Sequence, residues 1–167
     1  LGFGTWDLRG EAAKRSVASA LDVGYRLIDS AVNYENEREV GRAVSERMDL
    51  ADDLVVTTKV PGRDHGYDAT IRSFEGSLDR LGRVDLYLIH WPNPGRGLYP
   101  EAWRALVDLR ERGLVRSIGV SNFTEQHLHE AADATGVMPA VNQIEVNPHF
   151  PQNELRQVHV DLGVVTE

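Results

Sequence analysis

Residues 24–41 read GYRLIDSAVNYENEREVG, where a short apolar strand runs into a turn and lifts Asp29 and Tyr34 out of hydrophobic surroundings. Two later β-rich runs end the same way, Lys59 closing LVVTTK and His90 closing VDLYLIH. Four ionisable side chains placed just past three strand ends form the pattern of an active-site rim. A Lys that ends a buried strand and points inward requires a carboxylate, and Asp29 is the obvious partner. An ammonium beside a phenol favours the phenolate. Tyr34 next to Lys59 is therefore suited to protonate an oxygen on its way to an alkoxide, the general-acid step that carbonyl reduction requires.

Each residue also has a plainer reading. Asp29 could cap the following helix and Tyr34 could pack on a rim. His90 could be a satisfied core histidine; at the C-terminal end of a barrel strand it could instead donate a hydrogen bond to a substrate oxygen. Ser121 and Asn122 end IGVSNF and could cap a helix, while Gln143 and Glu145 lie in VNQIE, where Gln143 could hydrogen-bond within the interior. On successive strand ends, Asn and Gln also suit a carboxamide ligand, which needs both donors and acceptors. The histidines show no paired metal spacing such as HExxH, and no metal is expected.

The elements that must position these groups alternate. Seven strand candidates occur in order: LGFGT, RLIDS, LVVTTK, VDLYLIH, SIGVSN, AVNQIE and GVVTE. Between them lie helical patterns such as Ala13, Val17, Ala20 and Leu21, or Ile71, Phe74, Leu78 and Leu81. Asp68 and Thr124 are expected N-caps, and Gly24, Gly113 and Gly136 stand where helices should end. Strands recur at about the length of one βα unit, which implies parallel strands with helices outside. A doubly wound sheet would carry a glycine-rich phosphate turn after an early strand. GFGT is too short for that fingerprint, so the expected fold is α/β, a (β/α)8 TIM barrel. About six βα units and the start of a seventh strand are expected, in one domain over 1–167 that is truncated at both ends.

The chain has 167 residues, is 41% hydrophobic and carries a formal charge of −8 with 26% charged residues. That supports one buried core, and the absence of a basic stripe argues against a nucleic-acid partner. With no cysteine there is no disulfide framework, and a cytoplasmic location is expected. No stretch approaches the ~20 apolar residues of a membrane span, so no membrane partner is expected.

The motifs taken together resemble the aldo-keto reductase family over the whole chain. GYRLIDSAVNYENEREVG is similar to its first signature, LIHWP to its histidine strand, and IGVSNF and PAVNQIEVNP to the next two. The run from VDLYLIHWPNP through LRERGLVRSIGVSNF to ATGVMPAVNQIEVNP looks most like the bacterial 2,5-diketogluconate reductase branch. The resemblance implies hydride transfer from NADPH to the aldehyde or ketone of a small molecule, with keto-sugar acids among the candidates. It implies that Tyr34 is the proton donor, supported by Lys59, which pairs with Asp29, and that His90 orients the carbonyl. Ser121, Asn122 and Gln143 would hold the nicotinamide amide, Gly4, Thr5 and Asp29 would approach the cofactor, and Trp6 and Trp91, with Tyr34 and His90, would line the substrate pocket. The aromatic-Ser-Pro-Leu segment and the Lys-Ser loop of relatives do not occur here. The 167-residue piece is therefore expected to bind NADPH poorly and to be weakly active or inactive, while its parent is expected to be a monomeric enzyme.

Overall fold

The computed structural model describes residues 1–167. Seven strands form one parallel sheet: β1 (Gly2–Gly4), β2 (Leu27–Asp29), β3 (Val55–Val60), β4 (Leu86–Ile89), β5 (Ser117–Ser121), β6 (Val141–Gln143) and β7 (Val165–Thr166). Each strand pairs with the next in sequence, in the order β1-β2-β3-β4-β5-β6-β7. A doubly wound sheet reverses its order at a switch point, and no reversal occurs here. The sheet also curls. Gln143 at the end of β6 reaches Asp29 at the end of β2, with 3.3 Å between Nε2 and Oδ1. Four strand spacings would separate those strands by about 19 Å in a flat sheet, so the strands bend around a common interior as an incomplete (β/α)8 barrel.

Six helices cover the outside: α1 (Gly10–Asp22), α2 (Glu37–Ser45), α3 (Tyr67–Leu81), α4 (Tyr99–Glu111), α5 (Glu125–Thr135) and α6 (Asn153–Leu162). None is long and apolar enough to cross a membrane. The core lies between helices and sheet. It joins Val17 and Leu21 of α1, Phe74 and Leu81 of α3, and Trp103 and Leu106 of α4 to Ile28, Val56, Val60, Tyr87, Ile89, Ile118 and Val120 of the strands.

Alternation along the strands then dictates the interior. If Val56 and Val60 face helices, Thr57 and Lys59 face inward. The register carries that parity around the sheet, because Gly4 pairs with Asp29, Asp29 with Thr57, Lys59 with Leu88, and Ser121 with Gln143.

Thr124 caps α5 in a reciprocal box with His127, as its spacing predicts. Asp68 does not cap α3. Gly66, at φ 105°, takes the N-cap position, and Asp68 lies in the first turn, where a carboxylate still complements the helix dipole. Gly24, Gly113 and Gly136 follow the ends of α1, α4 and α5 with positive φ, as expected.

Helices α2 and α3 approach closely at Gly41, where a Cβ would fall 2.3 Å from the Arg80 carbonyl oxygen and 2.8 Å from Leu81 Cα. Beside this contact, buried Glu37 accepts from Arg80 Nε at 2.7 Å and from Thr58 Oγ1 at 2.6 Å. An alanine gains about 1 kcal/mol over glycine in an exposed helix. Here a backbone clash that cannot relax by rotamer change opposes that gain. Gly41→Ala is expected to destabilise the protein by about 1–3 kcal/mol in urea denaturation; a neutral or stabilising result would show that the two helices separate freely.

Candidate active site

The inward-facing strand ends bring Asp29, Lys59, His90, Ser121 and Gln143 to one rim. Lys59 has no exposed side-chain surface and Asp29 only 14%. The Lys59 Nζ donates to both carboxylate oxygens of Asp29 at 2.7 Å, to the Ser30 carbonyl at 3.0 Å and to Tyr34 Oη at 3.3 Å. Its three protons thus have four acceptors within reach. Tyr34 comes from a short 3-10 turn, Val32–Tyr34, directly after β2, which explains why a residue five positions past Asp29 returns to the same ammonium.

His90 follows β4, and its ring packs edge-on to Tyr34 with centroids 5.7 Å apart. Its Nδ1 is buried with no hydrogen-bond partner. Burial, and secondarily the Lys59 charge, pushes its protonation down to about 4. The ring is therefore neutral at physiological pH, and a neutral imidazole carries one N–H. A cleft of about 340 Å³ is lined by Trp6, Asn33, Tyr34, His90 and Trp91. A larger groove of about 460 Å³ lies at the edge of β1 and α1, lined by Phe3, Ala12, Arg15, Ser16, Ser19, Ala20, Val23 and Tyr25. It holds none of the four ionisable groups, whereas Tyr34 and His90 line the smaller cleft.

The expected amide-recognition groups stand together, with their hydrogen bonds partly committed. Asn122, in a left-handed conformation at φ 62°, donates from Nδ2 to the His90 carbonyl and to Ser121 Oγ, both at 3.0 Å. Gln143 Nε2 donates to Asp29 Oδ1. Thr5 is buried and gives both its N–H and its hydroxyl to the Asp29 carbonyl at 2.9 Å. At Gly4 a Cβ would meet nothing within 4 Å, so the end of β1 is open above the interior. Glu145 lies exposed beyond β6 and bonds Asn147. No cluster of three or more His, Cys, Asp or Glu could hold a metal ion.

Three residues of the site escaped the sequence reading. Asn33 walls the cleft and accepts from Arg63 at 2.6 Å. Asn36 is fully buried behind Tyr34. Glu167 brackets Gln143 in the ladder through Glu167 N–H to Asn142 O and Ile144 N–H to Glu167 O. Its carboxyl is pushed above the ordinary range by burial and then by the Asp29 charge. Only Glu167 had a sequence signal, the two-residue step from Val165 that puts both on one face.

His65, buried in the loop after β3, is likewise pushed down to about 4, by burial and then by Arg96. Unfolded histidines titrate near 6.5. Between about pH 4 and 6.5 the unfolded chain therefore binds more protons than the folded one, and stability falls as pH drops through that window. In an NMR titration the His90 ring should show a midpoint near about 4; titration near the ordinary value would place the ring in solvent.

A sequence profile described as the Aldo/keto reductase family matches residues 1–166. The chain is 55% identical over 168 residues to 2,5-diketo-D-gluconic acid reductase B of Corynebacterium sp. (strain SHS752001), covering 99% of this chain and 61% of that protein. It is 48% identical to an aldo-keto reductase of Mycobacterium sp. (strain JLS), over 100% of this chain and 61% of that one. An aldo/keto reductase structure from Brucella melitensis superposes with a TM-score of 0.94 at 44% identity, covering 99% of this chain and 65% of its own. A mutant of Gox0644 solved in complex with NADPH superposes at 0.93 with 42% identity, over 99% and 60% of the two chains. The chain thus spans 61% of the length of these curated relatives. Fold, rim residues and relatives converge, and this chain belongs to the aldo/keto reductase family.

Proposed function

We propose that these residues form most of a single barrel domain in a monomeric, cytoplasmic NADPH-dependent reductase, which converts an aldehyde or ketone of a small molecule to an alcohol. The observation that carries this reading is the Lys59 ammonium, bound to both oxygens of Asp29 and 3.3 Å from Tyr34 Oη. Keto-sugar acids are the proposed substrate class, supported by the 55% identity to an enzyme named for 2,5-diketo-D-gluconic acid.

The rim fits a nicotinamide. Ser121, Asn122 and Gln143 offer donors and acceptors of the kind a carboxamide needs, and the open space at Gly4 lets a flat group approach the backbone. When bound, the cofactor supplies the hydride. The protein's own groups do the rest. The neutral His90 ring presents its one N–H to the carbonyl oxygen in the cleft and polarises it. Tyr34 Oη donates its proton as that oxygen gains negative charge, and Lys59 stabilises the phenolate left behind. Asp29 holds the ammonium in place, and the indoles of Trp6 and Trp91 wall the cleft.

In the full-length protein, Tyr34→Phe is expected to lower kcat about 100- to 10,000-fold, the usual worth of a positioned general acid. Cofactor binding, followed by NADPH fluorescence, should change little. Undiminished turnover would remove Tyr34 from the chemistry. Lys59→Met should match that loss, and because it leaves Asp29 unpaired it should also cost about 3–5 kcal/mol of stability.

A further inference from the structure

Asn36 occupies the N-cap position of α2, where an Asn side chain ordinarily accepts from the first free N–H groups of its own helix. It makes no such bond. Its amide is spent elsewhere, fully buried: Oδ1 accepts from Ser30 Oγ at 2.8 Å, while Nδ2 donates to the Thr5 carbonyl at 2.8 Å and the Leu8 carbonyl at 3.1 Å.

The three partners bracket the two loops that form one wall of the cleft. Thr5 and Leu8 flank Trp6, and Ser30 and Asn36 flank Tyr34. Each loop contains a non-glycine residue in the left-handed region, Asp7 at φ 64° and Glu35 at φ 54°. Such turns persist only where surrounding contacts hold them. Trp6 is 66% exposed and has no core of its own to fix it. Its ring meets Tyr34 edge-on, with centroids 5.2 Å apart. One buried amide therefore ties the loop that carries the acid to the loop that carries the pocket wall, and gives up its helix cap to do so.

We propose that Asn36 is a positioning residue for substrate selection: it sets the separation between Trp6 and Tyr34 Oη, and with it the width of carbonyl substrate that can present its oxygen to Tyr34. This rests on the reductase reading. Asn36 touches neither substrate nor cofactor, and its influence passes through the two loops.

The test compares the full-length protein with its Asn36→Ala variant on two substrates at saturating NADPH, a bulky aromatic aldehyde and a short aliphatic one. The readout is the ratio of their kcat/KM values, which is independent of how much of the sample is folded. The ratio is expected to shift about tenfold or more, within the roughly hundredfold loss that a 1 Å misplacement can cause. A purely structural Asn36 would lower both values by one common factor, and an unchanged ratio overturns the proposal. Should Asn36→Ala not fold, Ser30→Ala carries the test. It frees only the Tyr34 loop and keeps both Nδ2 bonds, so the ratio should shift in the same direction by about threefold; no shift again overturns the proposal. If the unaltered protein reduces neither aldehyde nor a keto-sugar acid, the reductase reading fails instead.

Discussion

The site depends on one buried ion pair. An ammonium with no exposed surface lies at the centre of the barrel mouth, and it is tolerable only because a carboxylate and a backbone carbonyl surround it. Desolvating two ions costs several kcal/mol each, and a well-packed apolar pair of similar volume is often as stable or more so. Stability alone gives little reason to keep Lys59 and Asp29. The pair faces Tyr34 Oη, which at 3.3 Å lies in the field of a cation whose other bonds are fixed. Asp29 is itself held from several sides, by Thr5 at its carbonyl and by Lys59 and Gln143 at its carboxylate.

This arrangement follows from strand parity and sheet curvature acting together. Alternation splits β3 into a helix-facing set, Val56, Thr58 and Val60, and an interior set that includes Thr57 and Lys59. The two sets do different work. The outer one builds the core against the helices and adds the Glu37–Thr58–Arg80 contact. The inner one carries charge to the rim. Curvature then brings β6 to β2, so that Gln143 and Asp29 meet although 114 positions separate them.

The loops add a different constraint. Trp6, Tyr34 and Trp91 lie beyond the strand ends, where the sheet's ladder no longer fixes the backbone. Side-chain hydrogen bonds take over, with Asn36 joining two loops, Asn122 tying the β5 end to the His90 carbonyl, and Arg63 reaching Asn33. His90 differs again. Its neutrality comes from burial first and the Lys59 charge second, so it feels the same ammonium that contacts Tyr34.

Much of this was determined by the sequence alone. Period-two apolar runs and 3.6-type stripes specify parallel βα units because each is local and each residue's environment repeats. All seven strands fall where their patterns lie, and Asp29, Lys59 and His90 are visible because a charge that ends an apolar run is conspicuous. Asp68 misled for the same reason: Asp is a good cap by type, but Gly66 two residues earlier could adopt the positive φ at which this chain enters α3. Only the tertiary structure decided which polar groups spend their hydrogen bonds on one another. Asn36 carried no signal in the sequence and Gln143 suited either an interior hydrogen bond or a ligand contact; in the fold Asn36 binds two carbonyls of the Trp6 loop and a hydroxyl of its own loop, and Gln143 binds Asp29 across the interior. Those partners are fixed by the curl of the sheet and by loop closure, long-range geometry that no local spacing encodes.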